Sequence, residues 1–102
     1  MFGLIGSMSA ASGRREDLMA ILTEAVNDMP GCLSYVVAKD AADPEKIWIT
    51  EVWDSKESHD ASLSLPAVKK AIAAARPLIA GFGAQTVTTP VGGFGIGNAR
   101  SR

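Results

Sequence analysis

His59 is the only histidine of the chain, and it follows Glu51 by eight residues and Trp53 by six. An imidazole exchanges a proton close to neutral pH without help from its surroundings. It could therefore act as a general base on a hydroxyl of a bound molecule. Glu51 and Trp53 lie on one face of the β-compatible run Lys46 to Trp53, because side chains two apart in a strand point the same way. A carboxylate facing an apolar cavity offers a second base, and the indole of Trp53 offers a wall on which a planar substrate could stack. Tyr35 could hydrogen-bond a substrate oxygen. Each of these residues also fits a structural role: Trp53 and Glu51 at a subunit interface, His59 in solvent on a short polar helix, Tyr35 half-buried in a strand.

Other chemistries lack their residues. Cys32 is the only cysteine, so no intrachain disulfide or cysteine zinc cluster can form. No cation or helix start lies beside it in sequence, so a buried, inert thiol is expected. One histidine, one cysteine and no evident cluster of carboxylates leave no metal site. Gly92 to Gly97 lacks the spaced glycine fingerprint and opens no helix, so phosphate binding there is not expected. No cofactor is expected.

Secondary structure must bring these residues together. Residues 2–9 are apolar and β-compatible, and Ala11-Ser12-Gly13 is a turn signal. Leu18, Ile21, Leu22, Ala25, Val26 and Met29 then recur at helical spacing until Pro30-Gly31 stops the pattern. Cys32 to Lys39 and Lys46 to Trp53 flank a polar loop and read as an antiparallel hairpin. Asp54 followed by Glu57 predicts a capped start for a short helix over Ser55 to Ser62. Pro66 suits the first turn of a second helix carrying Val68, Ala71, Ile72, Ala75 and Ile79, with Pro77 near its end. Arg76 falls with Lys69 and Ala73 on the polar side of that helix, where solvation is the default. Gly81 to Thr89 is the last strand.

The order βαββαβ is that of the ferredoxin-like α+β motif, one antiparallel sheet with both helices on one face. Ile47, Ile49, Glu51 and Trp53 occupy one side of the third strand, and Trp48, Thr50 and Val52 the other. Two helices can cover only one apolar face, so a second sheet is needed for the other. A homodimer supplies it, with an interface on the order of 2,000 Å² or more. Residues 1–92 are expected to form one domain. Residues 93–102 form a Gly-rich tail, mobile or docked on a partner.

The 102 residues hold room for one core, and 47% hydrophobic with 21% charged residues is the balance of an ordinary globular protein. Ten basic and eleven acidic side chains are scattered along the chain and give a net charge of −1, which provides no footprint for nucleic acid or an anionic membrane. No apolar run approaches the roughly 20 residues of a membrane span. The apolar start lacks a basic region and reads as a strand rather than a signal peptide. A cytoplasmic location is expected.

Several segments carry a resemblance together. These are Pro30-Gly31-Cys32-Leu33-Ser34-Tyr35, Asp43-Pro44, Ile47-Trp48-Ile49-Thr50-Glu51-Val52-Trp53, Asp54-Ser55-Lys56-Glu57 and Leu65-Pro66. In this order on a βαββαβ frame they resemble the antibiotic biosynthesis monooxygenase family, which includes small quinol monooxygenases, over residues 2–95. The resemblance implies a dimeric α+β barrel with one pocket per subunit. It also implies cofactor-independent oxygenation of a small phenolic or quinol-type aromatic by molecular oxygen. Family members commonly carry a histidine nine positions beyond the tryptophan, where this chain has Ser62. Related haem-degrading enzymes use that histidine as iron ligand, so haem is not expected here. His59 precedes Ser62 by one helical turn. Positions 59, 62 and 63 share a helix face, so an inward Leu63 would carry His59 toward the mouth of the barrel. The serine also leaves open a non-catalytic small-molecule-binding or structural dimer, and the fold could equally host an isomerase or decarboxylase.

Overall fold

In the computed structural model, which describes residues 1–24 and 28–96, four strands and three helices alternate in the expected order. They are β1 (Phe2–Ala10), α1 (Arg15–Glu24), β2 (Cys32–Lys39), β3 (Lys46–Trp53), α2 (Lys56–Ser62), α3 (Pro66–Ala75) and β4 (Ile79–Thr88). Neighbouring strands are antiparallel, and the sheet runs β2-β3-β1-β4. This is the ferredoxin-like α+β fold.

The strand register decides which residues face the helices. Trp53, Glu51, Ile49 and Ile47 of β3 stand opposite Phe2, Leu4, Gly6 and Met8 of β1, so these eight share a face. Ile47 and Ile49 are buried there against Leu18 of α1, Ala75 of α3, Ala10 and Leu78. The opposite face, with Trp48, Thr50, Val52, Ile5 and Val36, is not covered by any helix among the described residues, and Val36 is 53% exposed. Trp48 is held down by its own hairpin: its indole N–H donates to Asp40 at 2.7 Å, and the Lys46 ammonium lies 4.8 Å from the ring centre.

Element boundaries depart from the sequence reading at four places. The helical pattern was expected to run to Met29, but Asp28 has a φ of 56°, a left-handed conformation that no helix continues through. Ala25 and Val26 lie outside the described residues. The cap of α2 is Ser55 rather than Asp54, since the Ser55 hydroxyl accepts from the Ser58 amide at 3.1 Å. Ile79 is not the last apolar position of α3. Pro77 has no N–H to donate and ends the α-helical ladder, so Arg76–Leu78 tighten into a 3-10 turn and Ile79 opens β4. The last strand accordingly runs from Ile79 to Thr88 instead of Gly81 to Thr89.

β4 joins β1 through an irregularity between Gly6 and Met8. The Ser7 hydroxyl, buried there, accepts from the Ala84 amide at 3.0 Å. Gly83 permits this approach, because a Cβ would strike that hydroxyl. The register shift sets Phe82 opposite Met8, on the helix side of the sheet.

Candidate active site

Between the sheet and α2 and α3 lies a cavity of about 540 Å³, within the size range of small-molecule sites. Its walls are mostly apolar, with Met8, Leu22, Met29, Val68, Ile72 and Phe82 among them. It sits on the helix side of the sheet and is lined by this chain alone. All five sequence candidates line it: Tyr35, Glu51, Trp53, His59 and Ser62.

The geometry starts from β3. Glu51 and Trp53 are two residues apart on the buried face, close enough for the Trp53 indole N–H to donate to Glu51 Oε1 at 2.9 Å. Trp53 is 1% exposed, so its ring is a fixed wall. Ser55 then starts α2 and turns His59 back over the end of the sheet. The His59 ring lies 5.3 Å from that of Phe2 and meets the Trp53 ring edge-on at 5.5 Å. Its side chain is 18% exposed, so the expectation of a solvent-facing histidine on a polar helix does not hold. Leu63 remains 48% exposed while lining the cavity, so packing on the sheet, not an inward Leu63, places His59.

Hydrogen bonding sets the roles of the two ring nitrogens. His59 Nδ1 lies 3.1 Å from Asp60 Oδ1. A carboxylate only accepts, so the proton of a neutral ring resides on Nδ1 and the lone pair on Nε2. Asp60 is held below the usual carboxylate range, first by the hydrogen bond from Lys56 at 2.8 Å and then by that from His59. Nε2 stands 4.0 Å from Glu51 Oε1, too far for a hydrogen bond. Two acceptors thus converge on the same end of the cavity, an arrangement suited to a guest that brings an O–H.

Tyr35 faces Glu51 across the β2–β3 register. Burial pushes its phenol well above the usual range, and the Glu51 charge adds to this. It therefore stays protonated, and its hydroxyl has no hydrogen-bond partner among the described residues. It can donate to a guest. Ser62 is 5% exposed and spends its proton on the His59 carbonyl at 2.6 Å, so it shapes α2 more than it donates to the cavity. Cys32 is half-buried, and burial raises its thiol, in keeping with an unreactive role. No three His, Cys, Asp or Glu side chains among the described residues are grouped to hold a metal ion.

Sequence reasoning missed Phe82 and Arg76, which both line the cavity. The alternation of β4 hinted at Phe82, but its face depended on the irregularity at Ser7. Arg76 is exposed, as expected of the solvated helix face, and it also borders the edge of the cavity.

The profile of the antibiotic biosynthesis monooxygenase family matches residues 1–74. A Chloroflexus aurantiacus protein described as belonging to that family is 64% identical, with a TM-score of 0.92 over 94% of this chain and 98% of its own. A Deinococcus radiodurans protein of the same description is 28% identical, with a TM-score of 0.76 over 92% and 96% of the two chains. A Mycobacterium tuberculosis protein at 22% identity shares the fold, with a TM-score of 0.75 over 91% and 97%. Comparison with curated proteins gives no match. The βαββαβ sheet, the Glu51-Val52-Trp53 strand end and the matched residues 1–74 agree, and the chain belongs to the antibiotic biosynthesis monooxygenase family.

Proposed function

We propose that this protein is a cofactor-independent monooxygenase that oxidises a small phenolic or quinol-type aromatic with molecular oxygen. The observation that carries the reading is the convergence of His59 Nε2 and Glu51 Oε1, 4.0 Å apart, at one end of an otherwise apolar cavity walled by Trp53. An aromatic guest stacks in the apolar part, and its hydroxyl lies between the two acceptors, with the Tyr35 hydroxyl as donor to its oxygen. His59 takes the phenolic proton, worth ~10²–10⁴ in rate for a positioned base. The phenolate passes one electron to oxygen, and the resulting radical and superoxide join through a new C–O bond at an unsubstituted ring carbon. With a proton returned by His59, this is a hydroperoxide. Glu51 takes the ring C–H proton and hands it to the hydroxide that departs as the O–O bond breaks, which releases water and leaves a quinone. One phenol and one oxygen molecule thus give one quinone and one water.

The uncovered face with Trp48, Val36 and Ile5 supports a homodimer built by stacking two sheets. Its test is light scattering at micromolar concentration, where Val36→Asp should shift a dimer toward monomer, and a monomeric parent would sink the idea. A domain over residues 1–92 with a tail over 93–102 belongs to the same proposal. The function is tested by oxygen uptake with a panel of quinols and hydroxynaphthalenes, using chelator-treated, flavin-free protein. Uptake above autoxidation, with quinone formed in equal amount, is expected. Ligand binding without uptake would instead favour the non-catalytic binder, a reading to which the self-satisfied Ser62 hydroxyl lends some support.

A further inference from the structure

Among the described residues, Arg76 is the one permanently charged cation that lines the cavity, at its exposed edge. Arg14 is paired with Asp17 at 2.8 Å and Arg15 donates to the Asp43 carbonyl at 2.9 Å, but Arg76 has no hydrogen bond or ion pair among the described residues. A guanidinium stays charged throughout the working pH range and presents its donors as a planar fork that matches a carboxylate. Here that fork borders the apolar side chains of Ile72, Ile79 and Phe82. Arg76 is exposed at this edge and Phe82 is 78% exposed, so water screens the contact and its strength is that of a surface pair.

The strand register separates Arg76 from the proton-handling end. Glu51 pairs with β1 at Leu4, Phe82 pairs at Met8, and Ile79 pairs at Ala10. From Leu4 to Met8 is four residues, roughly 13 Å at about 3.3 Å per residue. Arg76 precedes Ile79 by three residues, so it stands toward the far end of the cavity. Glu51 repels an anion at its own end. A guest carrying both a hydroxyl and an anion therefore enters in one orientation.

We infer that the guest carries a carboxylate on the end opposite its reacting hydroxyl, and that Arg76 captures it. Lys69 lines an adjoining groove together with Arg76, so a second cation stands near this edge, and the carboxylate is favoured by the match of its plane to the Arg76 fork. The inference rests on the proposed function for the hydroxyl end alone, while the anionic end follows from Arg76.

The test is calorimetric binding, without oxygen, of 6-hydroxy-2-naphthoate and of 2-naphthol at low ionic strength. The parent protein should bind the carboxylate up to about fivefold tighter, and added salt should erode that preference. Arg76→Gln should abolish the preference while 2-naphthol affinity moves little, and Arg76→Lys should restore part of it. Equal affinities in the parent, or a preference that survives Arg76→Gln, overturns the inference and leaves the proposed oxygenase standing. A preference that depends on Arg76 in a protein that consumes oxygen with no hydroxyaromatic would keep the anion site and defeat the oxygenase. Failure of both probes to bind defeats both.

Discussion

Replacing Trp53 by Phe isolates the hydrogen bond on which the candidate site is built. The indole N–H donates to Glu51 Oε1 at 2.9 Å, Trp53 is 1% exposed, and the Glu51 side chain is 14% exposed. A hydrogen bond to a charged acceptor contributes about 1.5–3 kcal/mol. Water reaches Glu51 at the cavity and can replace part of this, which favours the lower end. Shrinking the indole to a phenyl ring adds roughly 1 kcal/mol for lost burial and the void left behind. The expected cost is about 2–3 kcal/mol, a fall in Tm of roughly 10–20 °C for a domain of this size. Urea denaturation of the parent, Trp53→Phe, Glu51→Gln and the double variant closes a thermodynamic cycle. A coupling of about 1 kcal/mol is expected, because Gln still accepts but without charge. Strict additivity, or a cost below about 0.5 kcal/mol for Trp53→Phe, would refute the argument that this bond holds the carboxylate in place.

His59→Ala should keep the fold yet lower turnover at least about tenfold; normal turnover would shift the role of base to Glu51. Gly31 has a φ of 85°, and a Cβ there would lie 2.5 Å from Ser58 Cβ and 2.7 Å from Asp54 Oδ1. Gly31→Ala should thus cost at least about 2 kcal/mol by urea denaturation and displace α2, which carries His59. Asp40 is held at about 2, chiefly by the Trp48 indole and then by the amides of Asp43 and Ala42. A lowered carboxyl stabilises the folded state above its unfolded value of about 3.9 and stops doing so as the pH falls through its folded value. Asp40→Asn should therefore be less stable than the parent at pH 7, and the gap should close toward pH 2; a gap independent of pH would contradict this.

Local patterns were enough to order the elements, because strand alternation and helical spacing are written residue by residue. They also put Glu51 and Trp53 on one face, since that follows from a period of two. The break at Asp28 and the end of α3 at Pro77 were harder to see. A left-handed residue other than glycine leaves no compositional mark, and the apolar spacing of α3 runs on to Ile79 after its hydrogen bonds have ended. Which side of the sheet holds the cavity was beyond the sequence, because both faces of β3 carry large apolar groups and only the seating of the helices separates them. The same holds for the site's long-range partners. His59 meets Phe2 across most of the chain, and Arg76 reaches the cavity only because a proline turn, a strand register and the irregularity at Ser7 combine. Sequence settles what depends on neighbours along the chain; contacts between distant segments are settled by packing.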